Sequence, residues 1–220
     1  MIKIEQLDKL KDYETASWAI WSEEFPGKGC IERRPKKLHN FIKDHINDLN
    51  PGVILLSLNP SGVLCSPFAN YHSIEKRHND HILKKYIQDD NLKNIKGAYM
   101  TDLVEDPSNS EEIEPEEEDI HRFLEQLNIL GRKRFLVICF TGKTFDTLRK
   151  YFGKRAKTLD LNIKTFSTGW EGAYLEFYRV WFYGVWGRNQ DKIKELKRQL
   201  RYINKRLESS ISLSTFMEEK

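Results

Sequence analysis

Two kinds of apolar pattern alternate along the chain. VILLSL (53–58), GAYMTDLVE (97–105) and RFLVICF (134–140) are short, nearly continuous apolar runs. Such runs read as strands buried on both faces. NIKTFST (162–168) and AYLEFYRVWFYGVW (173–186) form a fourth strand region with room for a hairpin. Between the runs the spacing becomes helical. Leu38, Phe41, Ile42, His45, Ile46 and Leu49 predict a helix over 36–49, ended by Asn50-Pro51-Gly52. A short helix is expected over 81–88. Ile120, Phe123, Leu124 and Leu127 mark another, and TFDTLRKYF a further one that stops at Gly153. Trp18, Ile20, Trp21 and Phe25 predict an N-terminal helix anchored by bulky side chains. A last helix starts near Asn189, where Ile193, Leu196, Leu200, Ile203 and Leu207 form a seam facing the core or a partner.

Strands alternating with helices imply an α/β fold. The expected form is a three-layer α/β/α sandwich around a central, mainly parallel four-stranded sheet. One domain covers 1–208, with N-terminal helices over 1–50 packed on it, and 209–220 reads as a flexible tail. Ligands of such sheets bind outside the carboxyl ends of the strands. That rim would carry Asn59, Thr101, Asp102, Thr141, Gly142 and the segment after Trp181.

Composition narrows the setting. The 220 residues include only three cysteines, Cys30, Cys65 and Cys139, irregularly spaced. This argues against a disulfide framework and for a reducing compartment. Cys139, inside RFLVICF, reads as a buried small hydrophobe. The first residues lack a signal-peptide core, and no apolar run approaches the length of a membrane span. A soluble cytoplasmic protein, not membrane-bound and monomeric, is expected. The net charge of +3 conceals segregation. Residues 102–119 hold ten acidic side chains and no basic one, whereas 188–206 hold eight Lys/Arg against Asp191 and Glu195. Such a chain fits either a polyanion partner on one face or two solvated faces.

Three constellations invite chemistry. FTGKTF ends like a phosphate-binding loop, but Val137 stands where the first glycine is needed, so a tight strand-to-helix turn is the better reading. Cys65, His72, His78 and His81 lack paired ligand spacing and read as a polar loop with surface histidines, so no metal is expected. LSLNPSG ends a strand on Asn59, Pro60, Ser61 and Gly62, with Phe68, Asn70 and Tyr71 in the loop beyond. An asparagine at a strand tip can hold a water, though it cannot take its proton. A nearby ring could stack on a flat base while Thr101 and Asp102 read its edge. A plain Asn-Pro turn with core aromatics accounts for the same residues.

LSLNPSG resembles the first motif of the uracil-DNA glycosylase superfamily, in its mismatch-specific branch. GAYMTDLVE resembles that family's second strand, RFLVICFTGKTFDTLRKYF the strand–glycine–helix unit that follows, and the stretch from Arg179 to Asn189 falls where its last motif lies. The similar pieces run in order from about residue 38 to 205. The resemblance implies a DNA glycosylase that flips a base and hydrolyses its N-glycosidic bond without a cofactor. Asn59 would position the water, with Pro60 and Ser61 beside it. Phe68, with Tyr71, would stack on the base, and Asp102, after Thr101, would read it. Tyr183 is nearest the place of the family's final-motif histidine. Trp186, Arg188, Asn189 and Lys192 would hold DNA, single-stranded or as a duplex with a flipped base. Two departures stand out: aspartate replaces the base-reading asparagine, and the histidine is absent. They leave open a base-binding protein without hydrolysis. A hydrolase of a free nucleoside or other small molecule is a further alternative, favoured by the acidic segment.

Overall fold

The structure, a computed structural model, describes residues 1–25, 35–64, 67–73, 75, 79–89, 92–184 and 190–218. Its strands are β1 (Ser17–Trp18), β2 (Asn50–Ser57), β3 (Ala98–Asp102), β4 (Arg134–Cys139), β5 (Lys157–Thr158), β6 (Lys164–Trp170) and β7 (Ala173–Arg179). Its helices are α1 (Ile4–Leu10), α2 (Pro35–Asp44), α3 (Asp80–Lys84), α4 (Glu117–Leu130), α5 (Gly142–Tyr151) and α6 (Gln190–Glu218). The π-helical turn Lys85–Asp89 extends α3.

The seven strands among the described residues join one mixed sheet in the order β1-β3-β2-β4-β7-β6-β5. The four-stranded expectation is therefore too small. The four inner strands β3, β2, β4 and β7 are parallel. β1 adds antiparallel to β3, while β6 and β5 add antiparallel beyond β7. The hairpin of β6 and β7 turns at Glu171 and Gly172, both at positive φ.

Strand alternation divides the core in two. Ile54, Leu56, Tyr99, Phe135, Val137 and Phe177 face one side, where they meet Leu7, Leu38, Phe123 and Phe145 from α1, α2, α4 and α5. Val53, Leu55, Met100, Leu136 and Ile138 face the other, against Leu83 of α3 and Leu196, Leu200 and Ile203 of α6. The α6 seam thus faces the core. Helices cover both faces, which is why the inner strands are apolar on both.

Several boundaries differ from those predicted. The Trp18 region is a strand rather than a helix, with Ala19 N–H donating to Ala98 O at 2.8 Å. Trp18 serves as a β3 neighbour, its ring edge-on to Tyr99 at 5.1 Å. Asn50-Pro51-Gly52 opens β2 instead of preceding it. The sharp turn lies at Gly97, where φ is +75° and a Cβ would stand 1.9 Å from Asp48 O. α6 continues to Glu218, through the stretch expected to be a loose tail. His72 is buried at 1% exposure, not on the surface.

Candidate functional site

The chain leaves β2 and crosses to β3 on one side, then to β4 on the other. The carboxyl ends of β2 and β4 therefore flank a change of direction, where an open sheet splits into a crevice. A cleft of about 1510 Å³ lies there. Asn59, Pro60 and Ser61 line it after β2, Thr141 and Gly142 after β4, and Trp181, Phe182 and Tyr183 after β7.

Ser57 and Asp102 form its floor. They are register partners on adjacent parallel strands, so their side chains emerge side by side on the α3/α6 face. Asp102 is 2% exposed. Its Oδ2 accepts from Asn70 Nδ2 at 2.8 Å, and its Oδ1 accepts from the Tyr71 hydroxyl at 2.7 Å. Burial pushes the Asp102 carboxyl up to about 7, against the opposing pull of these two donors. The Ser57 hydroxyl, in a residue 4% exposed, lies beside the Tyr71 and Tyr183 phenols, which burial pushes well above the ordinary value, and it opposes that rise in both. Among the described residues no partner sits at hydrogen-bonding geometry from it.

Asp80, in the first turn of α3, lines the same cleft. As a residue it is partly exposed, but surrounding protein strips water from its carboxyl. That loss, augmented by the charge of Asp102, raises it to about 7, while the Ser73 N–H donating at 3.1 Å opposes the rise. Two carboxyls at similar poise in one cleft can divide acid and base roles at neutral pH. Tyr183 is buried edge-on to Phe140 at 4.9 Å, its phenol held well above the ordinary value by burial, Asp80 and Asp102.

Asn59 is more than a turn residue. Its Nδ2 donates to Ser108 O at 2.8 Å and Asp106 O at 3.2 Å. Lys143 Nζ ties the same acidic segment down through Ile113 O at 2.6 Å and Glu114 Oε1 at 3.0 Å. With its amide nitrogen so engaged, Asn59 Oδ1 is oriented as an acceptor at the cleft edge. Thr141 caps α5, its Oγ1 accepting from Thr144 N–H at 3.1 Å. This is the tight turn predicted for FTGKTF. Gly142 admits the Arg179 guanidinium, which would lie 2.8 Å from a Cβ at that position.

Two expected base contacts fall elsewhere. Thr101 precedes Asp102 on a strand and so faces the opposite side, where its hydroxyl pairs with Thr15 Oγ1 at 2.9 Å. Phe68 is fully buried in the α1/α2 core, edge-on to His39 at 5.7 Å. Phe68 and Tyr71 both adopt positive φ, +63° and +62°, so the loop sends one ring to each face of the sheet. Tyr71 reaches the cleft as an Asp102 donor rather than as a stacking ring. Lys192 lines the cleft, its Nζ 4.9 Å from the centre of the Trp181 ring. Trp186, Arg188 and Asn189 lie outside the described residues, as do Cys30, Cys65 and His78. No group of three or more His, Cys, Asp or Glu residues suited to a metal ion occurs among the described residues.

Sequence reading missed Asp80, Ser57 and Arg179. Asp80 looks like an ordinary acidic residue opening a helix. Ser57 could be found from its strand parity with Asp102, once the two strands are paired in register. No protein-family model matches the chain, and no curated protein matches it.

Proposed function

We propose that the cleft receives a nucleobase extruded from DNA and that the protein hydrolyses the N-glycosidic bond of that nucleotide. The observation that carries this reading is the floor. A buried carboxyl is held on both oxygens, beside a buried hydroxyl with no partner at hydrogen-bonding geometry among the described residues. Such a pair matches a flat, hydrogen-bonding guest. In this reading the helices on the two sheet faces are the outer layers of a glycosylase-type α/β/α sandwich, as the resemblance of LSLNPSG suggests.

The reaction follows from the residues. The bond from C1′ to the base nitrogen breaks, and its electron pair goes to the base. Asp102 in its acid form donates a proton to the departing base. A water held by Asn59 Oδ1 adds to C1′ and releases a proton to the ionised Asp80. Tyr183 donates to a base carbonyl as negative charge develops. A neutral Asp102 can donate as well as accept. It is thus less restricted than an always-ionised aspartate, and bases bearing a carbonyl enter the candidate range. A second reading, base binding without hydrolysis, is favoured by the tethering role of Asn59, since its amide nitrogen secures the acidic segment.

Oligonucleotides carrying uracil, hypoxanthine, xanthine or a mismatch, treated with the protein and then alkali, test the proposal. Strand cleavage at one modified base is expected, slowed about 100-fold in Asn59→Ala by loss of water positioning. Silence with every base, or equal cleavage by Asn59→Ala, would contradict it.

A further inference from the structure

Charge and aromatic surface divide around the cleft mouth. Over β3 and β2 lies the acidic segment, fixed by Asn59 and Lys143, with Glu111 on the cleft and Asp106 and Glu112 exposed beside it. Over β7 and β6 lie Arg179 and Lys164, which face the same cleft. No carboxylate pairs with either among the described residues. Next to them Trp181 and Phe182 are 36% and 37% exposed, two adjacent rings at the cleft. Their segment is held in place. Trp181 N–H donates to Gln199 Oε1 at 2.9 Å, and Gln199 Nε2 donates to Leu161 O at 2.9 Å. Gly184 makes room for the Phe182 ring, which a Cβ there would meet at 2.3 Å.

We infer that the substrate enters as a single strand of DNA, with its backbone on Arg179 and Lys164 and a neighbouring base stacked on Trp181. This rests on the base-binding reading of the floor and specifies the form of nucleic acid that reaches it. A single strand carries one line of phosphates, which the cationic border accommodates. A duplex would press its second line toward the fixed acidic segment. Exposed rings beside cations form the kind of platform on which unpaired bases stack. The buried floor of Ser57 and Asp102 below is where the neighbouring nucleotide would place its base.

Fluorescence anisotropy with a labelled strand of about 12 nucleotides tests the inference, with the same sequence as a duplex and a deoxynucleoside monophosphate as competitors. The single strand should bind at least about 10-fold more tightly than either competitor. Trp181→Ala should weaken it about 10-fold while Trp181→Phe retains most of the affinity. Arg179→Ala should lower the salt slope by about one. Equal or tighter duplex binding, or full affinity in Trp181→Ala, would overturn the inference. The two failures are separable. Tight single-strand binding without base release contradicts hydrolysis alone, whereas base release confined to duplex contradicts the single-strand inference alone.

Discussion

Asp80 and Asp102 are each held near neutrality by the same cause, loss of water around a carboxyl. A carboxyl whose folded pKa exceeds its unfolded value binds more protons in the folded state. Stability therefore falls as pH rises from the unfolded value of 3.8 through about 7. Asp80→Asn removes one such group while keeping an acceptor for the Ser73 N–H. Urea titrations of the two proteins should coincide near pH 4 and diverge with rising pH. The variant should become more stable by on the order of 1–2 kcal/mol above pH 8, less than the full shift because the residue is partly exposed. A constant difference across pH would mean that Asp80 ionises normally. His72 acts in the opposite sense: burial lowers it from 6.5 to about 4, so its contribution is complete above 6.5 and is lost as pH falls from there through about 4. A difference measurement between wild type and Asp80→Asn cancels that contribution.

At the scale of elements, the rim depends on how loops are attached to strand ends. The acidic segment has little apolar anchorage of its own. Ile113 packs with Leu58 and Val104 in a small cluster, and hydrogen bonds from Asn59 and Lys143 hold 106–114 from outside it. Lys143→Met deletes the ammonium that joins Glu111 O, Ile113 O and Glu114. Amide hydrogen exchange over 106–114 should accelerate by about 10-fold, with the β2 and β4 amides unchanged. Unchanged exchange over the segment would show that the Ile113 cluster suffices to hold it. The elements themselves were mostly legible from apolar period. VILLSL, RFLVICF and the α6 seam behave as their spacing dictates. The Trp18 region was not legible because β1 is two residues long and exists only through pairing with β3. Thr101 illustrates the same limit from the other side. Reading it with Asp102 as one unit ignored the two-residue period that sends them to opposite faces. Phe68 depended on a positive φ that sequence does not announce.

Across the whole molecule, four parallel strands and the change of direction beside β2 bring together residues that lie far apart along the chain, from Ser57 to Gln199. Asn59 and Asp102 were legible as rim positions because Asn59 follows an apolar run and Asp102 is a lone carboxylate inside another. Asp80 was not, because nothing local distinguishes it, and only the packing of α3 over the α6 face brings it beside Asp102. The described helices include none long and apolar enough to cross a membrane. The task proposed for this assembly is release of a base by two carboxyls that share acid and base roles. The rate of free-base release from a susceptible single strand, followed from pH 5 to pH 9 in wild type and Asn59→Ala, tests it most directly. A maximum near pH 7 is predicted, with loss of the base-form carboxylate below it and of the acid form above it. Asn59 does not titrate, so Asn59→Ala should lower the whole curve without moving its maximum. No base release at any pH, or a rate independent of pH across that range, would contradict the account.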